Sequence, residues 1–240
     1  MPRCGTCLKP SNELRVPLET SASDRGRETT ALVYRAKGRA AASLMLGHGA
    51  GAGQRSAFLV AFASGIAALG VDVITFDFPY ITAKRKVPDR GPVLEACYRM
   101  AIEAVRGDIE SARRFLFIGG KSMGGRIATQ VAAADRNLSV AGLVLLGYPL
   151  HPPGRPGELR AAHLPAIGRP MLFIQGSRDN FGTPAELNPV LAELSPPPTL
   201  HVVAGGDHSL KASRDLEAQS ALYETIHRAI VDWIDSVINQ

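Results

Sequence analysis

The chain has 240 residues, of which 45% are hydrophobic and 20% charged. A chain of this size and composition buries a core without disulfide or metal staples. Its net charge of +5 comes from 27 basic and 22 acidic residues, and the densest basic runs, Lys84-Arg85-Lys86 and Arg113-Arg114, carry no interleaved aromatics, so no nucleic-acid partner is expected.

Residues 1–28 read as a polar tail with a strand near Leu14–Leu18. The tail holds Cys4 and Cys7 as a lone C-x-x-C. A zinc site needs further ligands, and a redox site needs a strand before the pair and a helix opening on it, so the pair is expected to be inert. The count of three cysteines fits a reducing compartment rather than a disulfide framework. The first residues lack the apolar core of a leader peptide. No apolar run approaches the ~18 residues of a membrane span, so a cytoplasmic protein with no membrane partner is expected. Oligomeric state is not readable.

From residue 29 onward short apolar runs alternate with amphipathic stretches, and a single domain over 29–240 is expected. Strands are predicted at Thr30–Ala36, Ala42–Gly47, Asp72–Phe78, Phe115–Gly119, Val140–Leu146, Met171–Gln175 and Leu200–Ala204. Several are apolar on both faces, as Leu143-Val144-Leu145-Leu146 is, which suits parallel strands covered on both sides. Helices are predicted at Ser56–Leu69, Val93–Glu110, Met123–Ala134, Ala185–Glu193 and Ala218–Val237. In the last of these, Leu222, Ile226, Ala229, Trp233 and Val237 form one apolar stripe. The alternation predicts an α/β fold with a doubly wound, mostly parallel sheet flanked by helices. The Pro-, Gly- and Arg-rich segment from Pro149 to Pro170 is too short for a large cap domain. It reads as a loop with one short helix beside an open, shallow site.

The strongest motif is Gly120-Lys121-Ser122-Met123-Gly124, between an apolar strand and an apolar-periodic helix. That setting is the one in which G-x-S-x-G forms a nucleophile elbow: the serine is held in a strained turn, and the flanking positions are too crowded for side chains. The Met123 amide, at the start of the helix, is then a donor to a developing oxyanion. A second donor is expected from Gly47-His48-Gly49-Ala50-Gly51, where small residues let the backbone approach a carbonyl. Ala50 is the first choice and Gly51 the alternative. This glycine-rich run lacks the Lys-Ser/Thr ending of a phosphate loop.

A serine hydroxyl needs a base. Of six histidines, His208 follows the last strand, in Gly206-Asp207-His208. His227 and His201 read as packing residues, His48 shapes the glycine-rich loop, and His151 lines the site from the Pro-rich loop. The base needs a carboxylate to fix its tautomer, and Asp179, in Gln175-Gly176-Ser177-Arg178-Asp179, is favoured over Asp207. Tyr80, Gly49 and Gly51 are further pocket candidates. Lys121, Arg126, Arg155 and Arg178 lie near these motifs in sequence, which leaves an anionic substrate open.

With these segments, Asp77-Phe78-Pro79-Tyr80 and Gly147-Tyr148-Pro149-Leu150-His151-Pro152-Pro153-Gly154 in place, residues 30–240 resemble the small α/β-hydrolases of the dienelactone-hydrolase-like kind. They resemble still more an uncharacterised hydrolase-like group that includes a testis-expressed protein and a histone acetyltransferase complex subunit. The resemblance implies the α/β-hydrolase fold with no large cap domain, and the chain order Ser–Asp–His. It implies a serine hydrolase cleaving an ester, thioester or small amide, with a small-molecule substrate and no metal or cofactor. It also leaves open an acyltransferase and a non-catalytic scaffold. The best-known dienelactone hydrolases use a cysteine nucleophile where this chain has Ser122, which argues against lactone chemistry.

Overall fold

The computed structural model describes residues 9–18 and 28–240; the Cys4–Cys7 pair lies outside them. Eight strands form one sheet: β1 (Asn12–Pro17), β2 (Glu28–Tyr34), β3 (Ser43–Gly47), β4 (Asp72–Phe76), β5 (Leu116–Lys121), β6 (Gly142–Leu146), β7 (Met171–Gly176) and β8 (Thr199–Val203). Their spatial order is β1-β2-β4-β3-β5-β6-β7-β8. The pairs β1–β2 and β2–β4 are antiparallel, and all others are parallel.

The parallel centre is where the sequence is most apolar. Every residue of β3, β4, β5, β6 and β7 is buried, because helices cover both faces. On one side lie α1 (Ala57–Ala68) and α7 (Leu216–Ile238), packed on Leu44, Leu46, Phe117, Val144 and Ile174. On the other lie α3 (Gly91–Asp108) and α5 (Met123–Ala134), packed on Met45, Ile118, Leu143 and Leu145. Among the described residues no helix is long and apolar enough to cross a membrane.

Three local differences from the sequence reading have physical causes. First, the segment read as a polar tail supplies β1. Its strand spans Asn12–Pro17 rather than Leu14–Leu18, and Val16 and Leu18 join the core, so the sheet begins upstream of residue 29. Second, the strand expected to run to Phe78 stops at Phe76. Pro79 opens a one-turn helix, α2 (Pro79–Thr82), since its fixed φ suits a first helical position. Third, the helix expected to end at Glu110 breaks at Ile109. This residue is extended (φ −113°, ψ 116°) and buried, and a short helix, α4 (Glu110–Arg114), follows. As expected, the Pro149–Pro170 segment is a loop with one short helical turn, a 3-10 turn at Leu164–Ala166, and α6 (Pro184–Leu191) follows β7. No separate cap domain is present among the described residues.

Candidate active site

The carboxyl ends of β3, β5, β7 and β8 place the motif residues together. β5 leads into Ser122, whose backbone (φ 50°, ψ −112°) is in a region that a non-glycine residue occupies only when its surroundings force it. The forcing element is β3. A Cβ on Gly120 would lie 2.3 Å from the Gly47 carbonyl oxygen, and one on Gly124 2.2 Å from it. Both glycines of the motif are therefore required by the approach of Gly47, in register with Gly120 across the β3–β5 ladder. The Ser122 amide donates to Leu146 O at 3.0 Å, fixing the turn to β6.

His208, on the loop after β8, stands between Ser122 and Asp179. Its Nε2 is 2.8 Å from Ser122 Oγ, and its Nδ1 is 2.8 and 2.9 Å from the two Asp179 oxygens. An ionised carboxylate only accepts, so Nδ1 carries the proton and Nε2 is free to accept from the serine. The Asp179 side chain is fully buried. It also accepts from Gln175 Nε2 at 2.9 Å and from the Phe181 amide at 2.8 Å. Asp207, the rival acid, accepts instead from the amides of Ser209 and Lys211, at 2.7 and 3.0 Å, and holds its own loop.

Three residues beside His208 or Asp179 are not parts of the site in the sequence reading. Phe181 stacks on the imidazole, with centroids 4.1 Å apart. Gln175 is fully buried; its carbonyl accepts from the Tyr148 amide, and its amide reaches Asp179 and Gly182 O. Lys121, expected only as a nearby charge, is buried and donates from Nζ to His208 O at 2.5 Å. Burial pulls its ammonium pKa down to about 8, against the opposing charges of Asp179 and Asp207. The chemical signal for Gln175 lies in the sequence: a polar side chain inside an otherwise apolar strand needs buried partners.

A cavity of about 830 Å³ opens onto this arrangement, at the large end of ordinary small-molecule sites. The site is thus roomier than the open, shallow one expected from the short Pro149–Pro170 segment. Ser122, Met123, Gly49 and Ala50 line it. A Cβ on Gly49 would sit 3.8 Å from Ser122 Cβ, so the glycine-rich loop lies close over the serine. Gly51 does not line the cavity, and its amide donates to Tyr80 OH at 3.3 Å. That leaves Ala50, rather than Gly51, facing the cavity.

Three further candidates do not line this cavity. His48, Tyr80 and His151 lie behind the wall. His48 and Tyr80 are fully buried and His151 nearly so. His48 donates from Nδ1 to Gly49 O at 2.8 Å and accepts at Nε2 from the Phe78 amide at 3.1 Å. Burial lowers its pKa, so it stays neutral and shapes the loop from beneath. Tyr80 is carried inward by α2, and His151 turns its Nδ1 to Pro152 O at 2.9 Å. Among the described residues no group of three or more His, Cys, Asp or Glu is placed to hold a metal ion.

The chain belongs to the family described as Alpha/beta hydrolase domain, whose pattern matches residues 40–235. Among solved structures it is similar to an α/β serine hydrolase without a lid from Xanthomonas campestris, at 20% identity and a TM-score of 0.68, over 93% of this chain and 97% of that one. It is similar to a dienelactone hydrolase from Anabaena variabilis, at 17% identity and a TM-score of 0.68, over 92% and 96%. It is also similar to Est1E from Butyrivibrio proteoclasticus, at 13% identity and a TM-score of 0.73, over 96% and 100%. At these identities the likeness is one of fold.

Proposed function

We propose that the protein is a serine hydrolase that cleaves a carboxylic ester, thioester or small amide, with Ser122 as nucleophile, His208 as base and Asp179 as the acid that orients it. One observation carries the reading: His208 spans Ser122 Oγ and the Asp179 carboxylate with hydrogen-bond distances on both sides. In this mechanism Nε2 takes the hydroxyl proton as Oγ attacks the carbonyl carbon. The buried Asp179 carboxylate stabilises the imidazolium that forms.

The tetrahedral oxyanion is received by two backbone amides. Met123 is the first residue of α5, so its N–H is one of the donors the helix leaves unpaired, at the positive end of the helix dipole. Ala50 supplies the other from the loop over the serine. His208 then returns the proton to the departing alcohol, thiol or amine, and the acyl-enzyme is cleaved by water that His208 activates. The reading is supported by the shared fold of a protein named a serine hydrolase and of a dienelactone hydrolase. Membership of the hydrolase-like group with the testis-expressed protein is supported by the sequence motifs alone.

The test is labelling by a fluorophosphonate probe. Wild type is expected to label and to hydrolyse short para-nitrophenyl esters. Ser122→Ala and His208→Ala are expected to lose both, with rates falling by on the order of 10³-fold or more. Folded wild type that neither labels nor turns over an ester overturns the reading and points to a binding module. Transfer product formed with an added alcohol or amine acceptor identifies acyl transfer.

A further inference from the structure

The walls of the cavity differ in charge. Lys121, Arg126, Arg160 and Lys211 line it, and among the described residues the one acid on the wall is Asp89, which is ion-paired to Arg85 at 2.5 Å. Lys121 is engaged by His208 O, and Lys211 is exposed at the rim. The two arginines have a different character. Both are half-buried, and neither has an acidic partner among the described residues. The side-chain contact of Arg126 is a long 3.5 Å approach to Gln130 Oε1.

Their backbones are held firmly. Arg126 lies one turn into α5 from Ser122 and donates its amide to Ser122 O at 3.0 Å, while its own carbonyl accepts from Thr129 Oγ1 at 2.7 Å. Arg160 donates its amide to Leu150 O and accepts at its carbonyl from Tyr148 OH, at 2.7 and 2.6 Å. Burial lowers the pKa of Arg160, and the nearby Arg126 charge lowers it further. Two like charges facing one cavity, partly dried and with the acid nearest Arg160, Glu158, already paired to Arg155 at 3.1 Å, are unfavourable unless a ligand supplies the anion. A guanidinium presents paired N–H donors in a fork that matches a carboxylate or phosphate.

We propose that Arg126 and Arg160 form an oxyanion-binding subsite of the Ser122 cavity, and that the substrate is an ester carrying a second, ionised group such as a carboxylate away from the bond cleaved. The subsite rests on the hydrolase reading for the bond cleaved, but not for the binding of the anion. Because Arg126 stands one helical turn from the nucleophile and Arg160 reaches the same cavity from the Pro-rich loop, the charge is selected on a wall apart from the oxyanion amides.

Two measurements test it. The first compares the mono-para-nitrophenyl ester of glutaric acid with para-nitrophenyl valerate, which matches it in length and lacks the charge. The ratio of their kcat/KM values is expected to favour the glutarate ester in wild type. In Arg126→Gln and Arg160→Gln it is expected to fall by about 10- to 100-fold, the range for a charge-assisted hydrogen bond. Arg126→Lys and Arg160→Lys are expected to retain part of it, and the wild-type ratio to shrink from about 0.05 M to about 1 M salt. A ratio near one in wild type, or one the glutamine variants leave unmoved, overturns the subsite while valerate turnover leaves the hydrolase standing.

The second measurement is calorimetric titration of free glutarate into wild type and into the double glutamine variant, each checked for folding by circular dichroism. Binding that weakens at least about tenfold in the double variant is expected. Equal binding, or none, overturns the subsite whether or not any ester is hydrolysed.

Discussion

Gln175 shows how much of the site is held by residues that never meet a substrate. It is fully buried, and its amide joins Asp179 Oδ2 to Gly182 O while its carbonyl receives the Tyr148 amide. Asp179, the proposed orienting acid, is thus tied to both the start of the Pro-rich loop and the turn that precedes α6. Gln175→Leu preserves volume but strands the Tyr148 N–H and removes a donor from Asp179. A loss of about 1–3 kcal/mol in urea unfolding is expected. Esterase kcat is expected to fall on the order of 10²-fold through a misplaced imidazole, with KM little changed; a variant that loses stability with unchanged kcat would show that the contact does not position the base. Ser122, Asp179 and His208, the triad proposed above, could be singled out because each sits in a distinctive local context: strand–turn–helix, strand–Gly-x-x-Asp, and last strand–Gly-Asp-His. Gln175, Phe181 and the Lys121–His208 contact could not, because each role depends on what the fold brings beside it. Lys121 and His208 are 87 positions apart. Sequence proximity to a motif likewise does not say which way a side chain faces: Tyr80 and His151 lie behind the cavity wall, while His48 sits beneath the glycine-rich loop it was expected to shape.

At the scale of elements, the pairing of α1 with α7 is built around one small residue. A Cβ on Gly65 of α1 would lie 2.2 Å from His227 Nδ1, so the helices close only because that position is glycine. Phe62 and Tyr223 flank the ring, and its Nε2 is buried with no hydrogen-bond partner among the described residues. Burial pushes the His227 pKa from 6.5 down to about 4. The unfolded chain therefore takes up this proton first as pH falls. The group has no effect above pH 6.5, and stability is lost progressively between pH 6.5 and about 4. The total is on the order of 3 kcal/mol. The measurement is the difference between wild-type and His227→Leu denaturation midpoints across that window. The gap is expected to move steadily in favour of the leucine variant as pH falls, and a gap independent of pH would mean that His227 is protonated with little cost in the fold. The helix α7 was legible from its apolar stripe, but not this notch, since a histidine on a helix gives no sign of what faces it.

For the molecule as a whole, the sequence was clearest where both faces of a strand are buried and poorest at the sheet's edge. The parallel centre announces itself by unbroken apolar runs, whereas β1 carries Asn12, Glu13 and Arg15 on exposed positions and mimics a tail. Its claim to the fold rests on alternation: Val16 is fully buried and Leu18 nearly so, in the cluster that also holds Met45, Ile74 and Phe76. The six-residue antiparallel ladder from Asn12–Val33 to Pro17–Glu28 then covers the edge of β2, which would otherwise be open to pairing with another chain. Val16→Asp places a charge in that cluster with no partner, and a loss of at least about 3 kcal/mol is expected. In a chain of this size that lowers Tm by roughly 6–12 °C. Arg15→Ala alters an 81% exposed side chain, paired to Glu28 only at 3.6 Å, and is expected to stay within about 0.5 kcal/mol of wild type. The contrast separates the two views of this segment, because in a solvated tail both substitutions would leave the melting curve in place. A strand in register with β2 makes neighbouring positions differ by the whole energy of a buried side chain, and a Val16→Asp protein melting with wild type would remove β1 from the sheet.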